Sequence, residues 1–342
     1  AARSGGSGGP RGDGPGAILT TGRGAGAAGQ NGRAAFGGIA TQVAGVTLVT
    51  GEGEFLTVDD TENADLLPAV ALGLGALGIL VEVTLRLVPA FVLHAVEHPE
   101  PIDDVVATFA DRAAASDHVE FYWFPHTDVG LLKTNTRLPE SAVRHPLPRV
   151  AKFLDEELLS NGVFTAVCAL GRAVPAITPP LSRLAAKVTG RREYTDASTA
   201  VFTQHRGVRF REMEYAVPAE RLAEAFDAVR ALIDERRYRV SFPIEVRIAG
   251  SDDLWLSTAS GRATGYIAVH RYWRENPATY FEPIEELLRT FDGRPHWGKM
   301  HTRTADDLRP AYPRFDDFTA LRDRLDPDRV FRNRYLRRVL GE

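Results

Sequence analysis

The residues best able to do chemistry in this chain are Glu245 and Arg247, which share one apolar run, and the downstream tetrapeptide His296-Trp297-Gly298-Lys299. Together they supply a carboxylate, a guanidinium, an imidazole and an ammonium group within strand-like surroundings. Burying such groups costs free energy unless they are paired or bind something. We therefore predict that they converge on a pocket for a polar ligand.

The run Phe242–Ala249 is typical of a strand, whose side chains alternate between two faces. Glu245 and Arg247 share one face, and the opposite face is apolar and can pack on a preceding helix with a single apolar stripe. The apolar face consists of Ile244, Val246 and Ile248, and the stripe of Leu222, Phe226, Val229 and Ile233. The alternative is a solvated outer face on which Glu245 and Arg247 form an ordinary ion pair of little energetic value.

The strand predicted next, Gly265–Trp273, favours the pocket, because one of its faces also carries polar groups. That face consists of Tyr266, Ala268, His270 and Tyr272. A lone lysine such as Lys299 is usually a surface residue. Because His270 and two further charged groups accompany it here, we expect Lys299 to line the same pocket.

The remaining pattern predicts an α+β fold in which helices cover one face of an antiparallel sheet. Strands are predicted at Val46–Val49, Phe55–Val58, Ile79–Val88, Val119–Phe124, Gly130–Thr136, Arg211–Val217 and Val240–Ala249. Helices are predicted at Asn63–Ala71, Arg149–Leu159, Leu181–Val188 and Thr279–Phe291. The helix that carries the apolar stripe is predicted to begin at Pro218, because proline favours the first position of a helix.

The composition of the 342 residues is that of a soluble globular protein, with 44% hydrophobic and 25% charged residues. The net charge of −4 argues against a nucleic-acid groove, which needs a concentrated basic face. The single cysteine, Cys168, permits no internal disulfide and indicates a reducing compartment such as the cytoplasm, with peripheral membrane association left open.

The longest apolar stretch, Val163–Ile177, is shorter than the ~20 residues that span a bilayer. It is predicted to be a buried helix, so no transmembrane segment is expected.

Two short motifs imitate functional sites. Residues 24–29 fit the G-x-G-x-x-G pattern of dinucleotide sites, but no helix start follows them. The segment His94–His98 fits a metalloprotease pattern that requires a helix, whereas its neighbours indicate a strand, so no metal site is predicted. Residues 1–16 are rich in glycine and poor in groups that could pack, and we expect them to be disordered.

Taken together, the sequence resembles the sugar-1,4-lactone and alditol oxidases, which include the D-arabinono-1,4-lactone and L-gulonolactone oxidases and are flavoproteins of the vanillyl-alcohol-oxidase type. The resemblance extends from Gly16 to the end of the chain and is most specific near the C-terminus. The matching segments are Gly37–Val43, Gly75–Ile79, Phe121–Thr127, Glu245–Arg247, His296–Lys299, Leu325–Pro327 and Phe331–Leu336.

The resemblance implies the C-terminal part of a PCMH-type FAD-binding domain at residues 17–92. It also implies a substrate, or cap, domain at residues 93–342, whose antiparallel sheet covers the flavin and whose last residues return to the FAD domain. The implied reaction is oxidation of a CH–OH group of a sugar lactone or alditol by hydride transfer to flavin N5, with oxygen or a quinone-like acceptor taking up the electrons.

The resemblance implies that Glu245 and Arg247 are the substrate-binding pair and that Lys299 lies near the pyrimidine edge of the flavin. From the chemistry of these groups we hypothesise that Arg247 and Lys299 stabilise negative charge on the reduced flavin, that Glu245 orients substrate hydroxyls and that His270 accepts the hydroxyl proton. Tyr272, in place of a small hydroxyl residue, and His296 would complete the substrate site. The residues expected to contact FAD are Gly24, Gly26, Gly37, Gly38, Ala40, Thr41, Gly78, Ile79 and Lys299.

This chain departs from the family near its N-terminus. Gly22–Gly26 stands where the family has Thr-His-Gly-Thr-Gly, and the family's pyrophosphate loop and flavin-linking histidine lie upstream of Ala1. We therefore expect half of the FAD domain to be missing. The alternative to an active oxidase is an inactive remnant, with a folded cap domain and no complete flavin site.

Overall fold

The computed structural model describes residues 37–148, 162, 164–203 and 207–342. Gly24, Gly26, the Gly-rich head and the helix predicted at Arg149–Leu159 lie outside these residues. Among the described residues, no helix has both the length and the apolar character that crossing a membrane requires.

A small antiparallel sheet opens the described part of the chain. Its strands are β1 (Val43–Val49), β2 (Phe55–Val58) and β3 (Ile79–Leu85), with β1 in the middle and the short helix α1 (Leu67–Val70) between β2 and β3. Gly78 enters β3 with φ of +152°, and a Cβ at this position would lie 2.6 Å from Val49 O. The packing of β3 on β1 therefore requires this glycine.

A large sheet of eight antiparallel strands follows. Its strands are β4 (Phe91–Pro101), β5 (His118–Trp123), β6 (Val129–Pro139), β7 (Arg192–Ala197), β8 (Phe210–Pro218), β9 (Ile244–Ala249), β10 (Thr264–Tyr272) and β11 (Arg294–Pro295). Their spatial order is β11-β8-β10-β9-β5-β6-β4-β7. The intervening helices are α2 (Ile102–Ala115), α3 (Phe164–Ala173), α4 (Thr178–Val188), α5 (Ser198–Phe202), α6 (Leu222–Glu235) and α7 (Ala278–Arg289). The predicted α+β class is confirmed.

Helices α2, α6 and α7 pack on one face of the large sheet. The predicted stripe of α6 and the apolar face of β9 belong to the same buried core, as predicted. Phe226 of α6 meets Phe121 and Trp123 of β5 edge-on, with ring centroids 5.2 and 5.8 Å apart. Because this core takes alternate residues of β5, β8, β9 and β10, the residues between them project from the opposite face of the sheet.

A second core joins the small sheet to the C-terminal part of the chain. It contains residues of β1, the segment 254–256, Trp297 and the helices α8 (Ala305–Leu308), α9 (Phe315–Leu325) and α10 (Arg334–Leu340). The part of the chain that packs beside the small sheet is therefore longer than the C-terminal end alone. The division into an FAD-binding and a cap domain remains a prediction.

Several local predictions are wrong in detail. The strand predicted from Val240 begins only at Ile244, because Pro243 has no N–H to donate to a sheet. Pro218 ends β8 and does not begin a helix; a 3-10 turn at Ala219–Arg221 precedes α6. The helix predicted within the apolar stretch is present as α3, but it is not a buried helix, since only Cys168 and Gly171 of its residues are buried.

Candidate active site

The charged side chains predicted to do chemistry lie on the face of the large sheet opposite the helices. In the register of the strands, Arg247 lies between Glu120 of β5 and Tyr266 of β10, and Glu245 lies opposite Ala268. Glu245 and Arg247 are each 3% exposed. The alternative of a solvated outer face is therefore wrong, and these charges need buried partners.

Arg247 is the centre of a buried cluster of carboxylates. It donates through Nη2 to Glu214 of β8, and its Nε lies 3.4 Å from Glu245 Oε1. Although burial favours the neutral form, Glu214, Glu245 and Glu120 raise the pKa of Arg247 well above its ordinary value. Arg247 Nη1 is buried and has no hydrogen-bond partner in the described part of the chain, so one charged donor is available to a ligand.

Glu212 of β8 joins two of the predicted site residues. Its carboxylate forms an ion pair with Lys299 Nζ and lies 3.4 Å from His270 Nε2. Burial disfavours its ionised form, but the hydrogen bond and charge of His270 and the charge of Lys299 hold the pKa of Glu212 well below its usual range. His270 Nδ1 lies 3.3 Å from Pro243 O, so both ring nitrogens face oxygen atoms.

The segment that carries Lys299 is fixed to the edge of β8. Beyond β11, the backbone N–H groups of His296 and Met300 each donate to a carbonyl of β8 at 2.9 Å. His296 Nδ1 accepts a hydrogen bond from Gly298 N at 3.1 Å, and burial lowers the pKa of His296. In this arrangement His296 shapes the turn that presents Lys299 to Glu212.

Tyr272 is not brought close to Arg247. Tyr266 faces Arg247, and Tyr272 lies about 20 Å further along β10. It is buried in an apolar cluster with Cys168 and Phe242. Phe210 and Phe242 of this cluster also contact the ring of His270, and a substrate-binding role for Tyr272 remains a prediction.

The residues expected to bind FAD through their backbone lie at two places in the small sheet. Gly37, Gly38, Ala40 and Thr41 lie in and before the 3-10 turn Ile39–Gln42 that leads into β1, and Gly78 and Ile79 lie at the start of β3. Their contact with FAD remains a prediction.

Three carboxylates of the cluster were missed by the sequence analysis. They are Glu120, Glu212 and Glu214. The signal was present, because alternation in Arg211–Val217 places the two glutamates opposite the apolar Met213, Tyr215 and Val217. The same argument applies to Glu120 in Val119–Phe124, where Phe121 and Trp123 face the core.

The charged row continues from Glu120 towards the far edge of the sheet. Lys133 Nζ lies 3.9 Å from Glu120 Oε1 and 3.5 Å from Glu97 Oε1, and Arg192 Nη2 lies 2.8 Å from Glu97 Oε2. Burial, followed by repulsion from Glu245, raises the pKa of Glu120. The segment His94–His98 contributes Glu97 to this row from within β4, so the strand interpretation of that segment is confirmed.

Comparison with known proteins accords with this geometry. The model of the D-arabinono-1,4-lactone oxidase family matches residues 83–339. The L-gulono-1,4-lactone dehydrogenase of Mycobacterium tuberculosis is 41% identical over 306 residues, which cover 90% of this chain and 70% of that protein. The alditol oxidase of a Streptomyces species is 31% identical, over 89% of this chain and 69% of that protein.

Among solved structures, the cholesterol oxidase of B. sterolicum superposes with a TM-score of 0.72 at 17% identity, over 91% of this chain and 73% of that one. This likeness concerns the fold alone and agrees with the predicted PCMH-type architecture. The family match covers most of the chain, and the similarity to the mycobacterial enzyme extends over nearly all of it. The chain belongs to the D-arabinono-1,4-lactone oxidase family.

Proposed function

We propose that this protein oxidises a CH–OH group of a sugar-1,4-lactone or an alditol, with FAD as hydride acceptor. The observation that carries this proposal is a cluster of charged side chains on one face of the large sheet. Arg247 contacts Glu245 and Glu214 there, and Glu212 joins His270 to Lys299 on the same face. The names of the relatives, which refer to L-gulono-1,4-lactone and to alditols, support the substrate class. Oxygen or another electron acceptor would complete the cycle.

The donors on this face fit a flavin ring. Arg247 Nη1 is a buried cationic donor with no hydrogen-bond partner among the described residues. The side chain of Lys299 is 25% exposed, and its ammonium group keeps N–H donors beyond the one directed at Glu212. Fixed cations stabilise negative charge that develops in a transition state. FAD, when bound, supplies the hydride-accepting ring.

The substrate's hydroxyl proton needs an acceptor, and His270 is our candidate. Its Nδ1 can face a substrate once the 3.3 Å contact with Pro243 O opens. Glu212, 3.4 Å from Nε2, would then stabilise the imidazolium that forms. Glu245 would orient the substrate by accepting hydrogen bonds from its other hydroxyls.

Lys299→Met tests the electrostatic role directly. In protein loaded with FAD, we expect the substitution to cost at least ~2 kcal/mol of transition-state stabilisation, measured as kcat/KM with L-gulono-1,4-lactone. Lys187→Met, at an exposed position of α4, is the matched control and should retain full activity. Equal kcat/KM in both variants would exclude this role for Lys299. A preparation that stays colourless with added FAD would support the alternative, an inactive remnant.

We propose that the protein works in a reducing compartment such as the cytoplasm, because its single cysteine, the buried Cys168, permits no internal disulfide. A net charge of −4 gives no support to a nucleic-acid partner, and we propose that the partners are small molecules.

A further inference from the structure

One rung of the large sheet carries charges of alternating sign in direct register. From the edge inwards the rung consists of Arg192, Glu97, Lys133, Glu120 and Arg247. Each of its first three steps contains an ion pair, with distances of 2.8, 3.5 and 3.9 Å. At the last step, Glu120 and Arg247 lie side by side within the described part of the chain but form no ion pair with each other.

Glu120 and Arg247 each have one polar atom without a hydrogen-bond partner within the described residues, an acceptor on Glu120 and a donor on Arg247. Glu120 Oε1 accepts from Tyr122 OH at 3.1 Å and lies 3.9 Å from Lys133 Nζ. Glu120 Oε2 and Arg247 Nη1 are both buried and have no hydrogen-bond partner within the described residues. Glu120 is 6% exposed and Arg247 3% exposed. Two buried polar atoms without partners on neighbouring strands cost free energy unless something binds between them.

The chemistry of the two atoms selects the kind of group that fits. An anion would be repelled by Glu120, and a cation would be repelled by Arg247. A hydroxyl group can accept a hydrogen bond from Arg247 Nη1 and donate one to Glu120 Oε2 at the same time.

We propose that Glu120 and Arg247 form a subsite for one hydroxyl group of a polyhydroxylated substrate, and that Glu120 is a specificity residue that selects hydroxylated over plain lactones. This inference rests on the proposed function for its choice of substrate class. Its structural basis is the unsatisfied pair of atoms on β5 and β9.

Isothermal titration calorimetry on the full 342-residue chain tests the subsite without flavin turnover. The probes are L-gulono-1,4-lactone and its unhydroxylated counterpart, γ-butyrolactone. We expect Glu120→Leu to weaken binding of the hydroxylated lactone about 10- to 100-fold, as for the loss of a hydrogen bond to a charged group. Binding of γ-butyrolactone should not change.

Glu97→Leu is the matched control, because it also removes a buried carboxylate beside Lys133 but lies two strands further from Arg247 than Glu120 does. It should bind both lactones as the unsubstituted chain does. Glu120→Gln provides a second, less disruptive variant, and it should weaken binding of the hydroxylated lactone selectively. Circular dichroism of each variant checks that it is folded.

Equal losses in Glu120→Leu and Glu97→Leu, no loss in either Glu120 variant, or no binding of L-gulono-1,4-lactone by the unsubstituted chain would each overturn the subsite. Anaerobic reduction of added FAD by the same lactone tests the proposed function separately. If the flavin is reduced while Glu120→Leu binds normally, only the subsite fails. If binding depends on Glu120 but no flavin is reduced, only the proposed function fails.

Discussion

Replacing Arg247 by methionine should strongly destabilise the protein, whether or not a cofactor is bound. The substitution removes the positive charge that faces Glu214, which is 1% exposed, and Glu245. Breaking a buried ion pair by removing one partner costs about 3–5 kcal/mol, because a buried charge is left uncompensated. We therefore expect the free energy of unfolding at pH 7 to fall by about this amount.

Urea unfolding followed by circular dichroism measures this loss. Arg191→Met is the control, because Arg191 and its partner Glu193 are largely exposed, and it should leave the unfolding midpoint unchanged. The double variant Arg247→Met, Glu214→Gln should recover part of the loss, since it also removes one unpaired carboxylate. A loss below about 1 kcal/mol, the range of exposed pairs, would refute the buried-cluster argument.

Three further predictions concern other parts of the fold. Gly78→Ala should lower the urea unfolding midpoint, because a Cβ there would lie 2.6 Å from Val49 O. Gly38→Ala is the control and should leave the midpoint unchanged, since its Cβ would meet nothing within 4 Å. Equal midpoints for the two variants would contradict the packing argument. Burial raises the pKa of the Cys168 thiol to about 12, so the native protein should react slowly with a thiol reagent at pH 8 and rapidly in urea; fast native labelling would be contrary evidence. Burial, followed by the charges of Arg338 and Arg303, lowers the pKa of His301 from 6.5 to about 3. As the pH falls, this histidine is therefore protonated in the unfolded chain before it is protonated in the folded protein. The free energy of unfolding should decrease as the pH falls from 6.5 towards 3. His301→Gln should flatten that part of the stability curve, and an unchanged slope would show that other groups cause it.

Much of the sheet that carries the site could be predicted from alternation alone. The pattern of β9 assigned Glu245 and Arg247 to one face and their apolar neighbours to the α6 side, and the structure confirms both assignments. Alternation states which face a side chain occupies, but not which strands lie side by side. The contribution of Glu120 therefore required the register of β5 against β9.

Other features depended on tertiary contacts that no local pattern contains. Lys299 meets Glu212 because the segment after β11 is hydrogen-bonded to the edge of β8, a long-range contact. His270 was correctly expected on the polar face of its strand, yet its carboxylate partner comes from a different strand. Tyr272 shares that face by periodicity, but its distance along β10 places it in a separate apolar cluster.

Anaerobic spectroscopy of the FAD-loaded protein tests the central claim most directly. The claim is that the buried charges around Arg247 and Glu212 form a pocket in which a sugar lactone or alditol reduces a flavin. We predict that the visible flavin absorbance is lost when L-gulono-1,4-lactone or an alditol is added without oxygen, and that it returns when an electron acceptor is admitted. A protein that binds FAD but keeps its full flavin absorbance with each of these substrates would contradict the account.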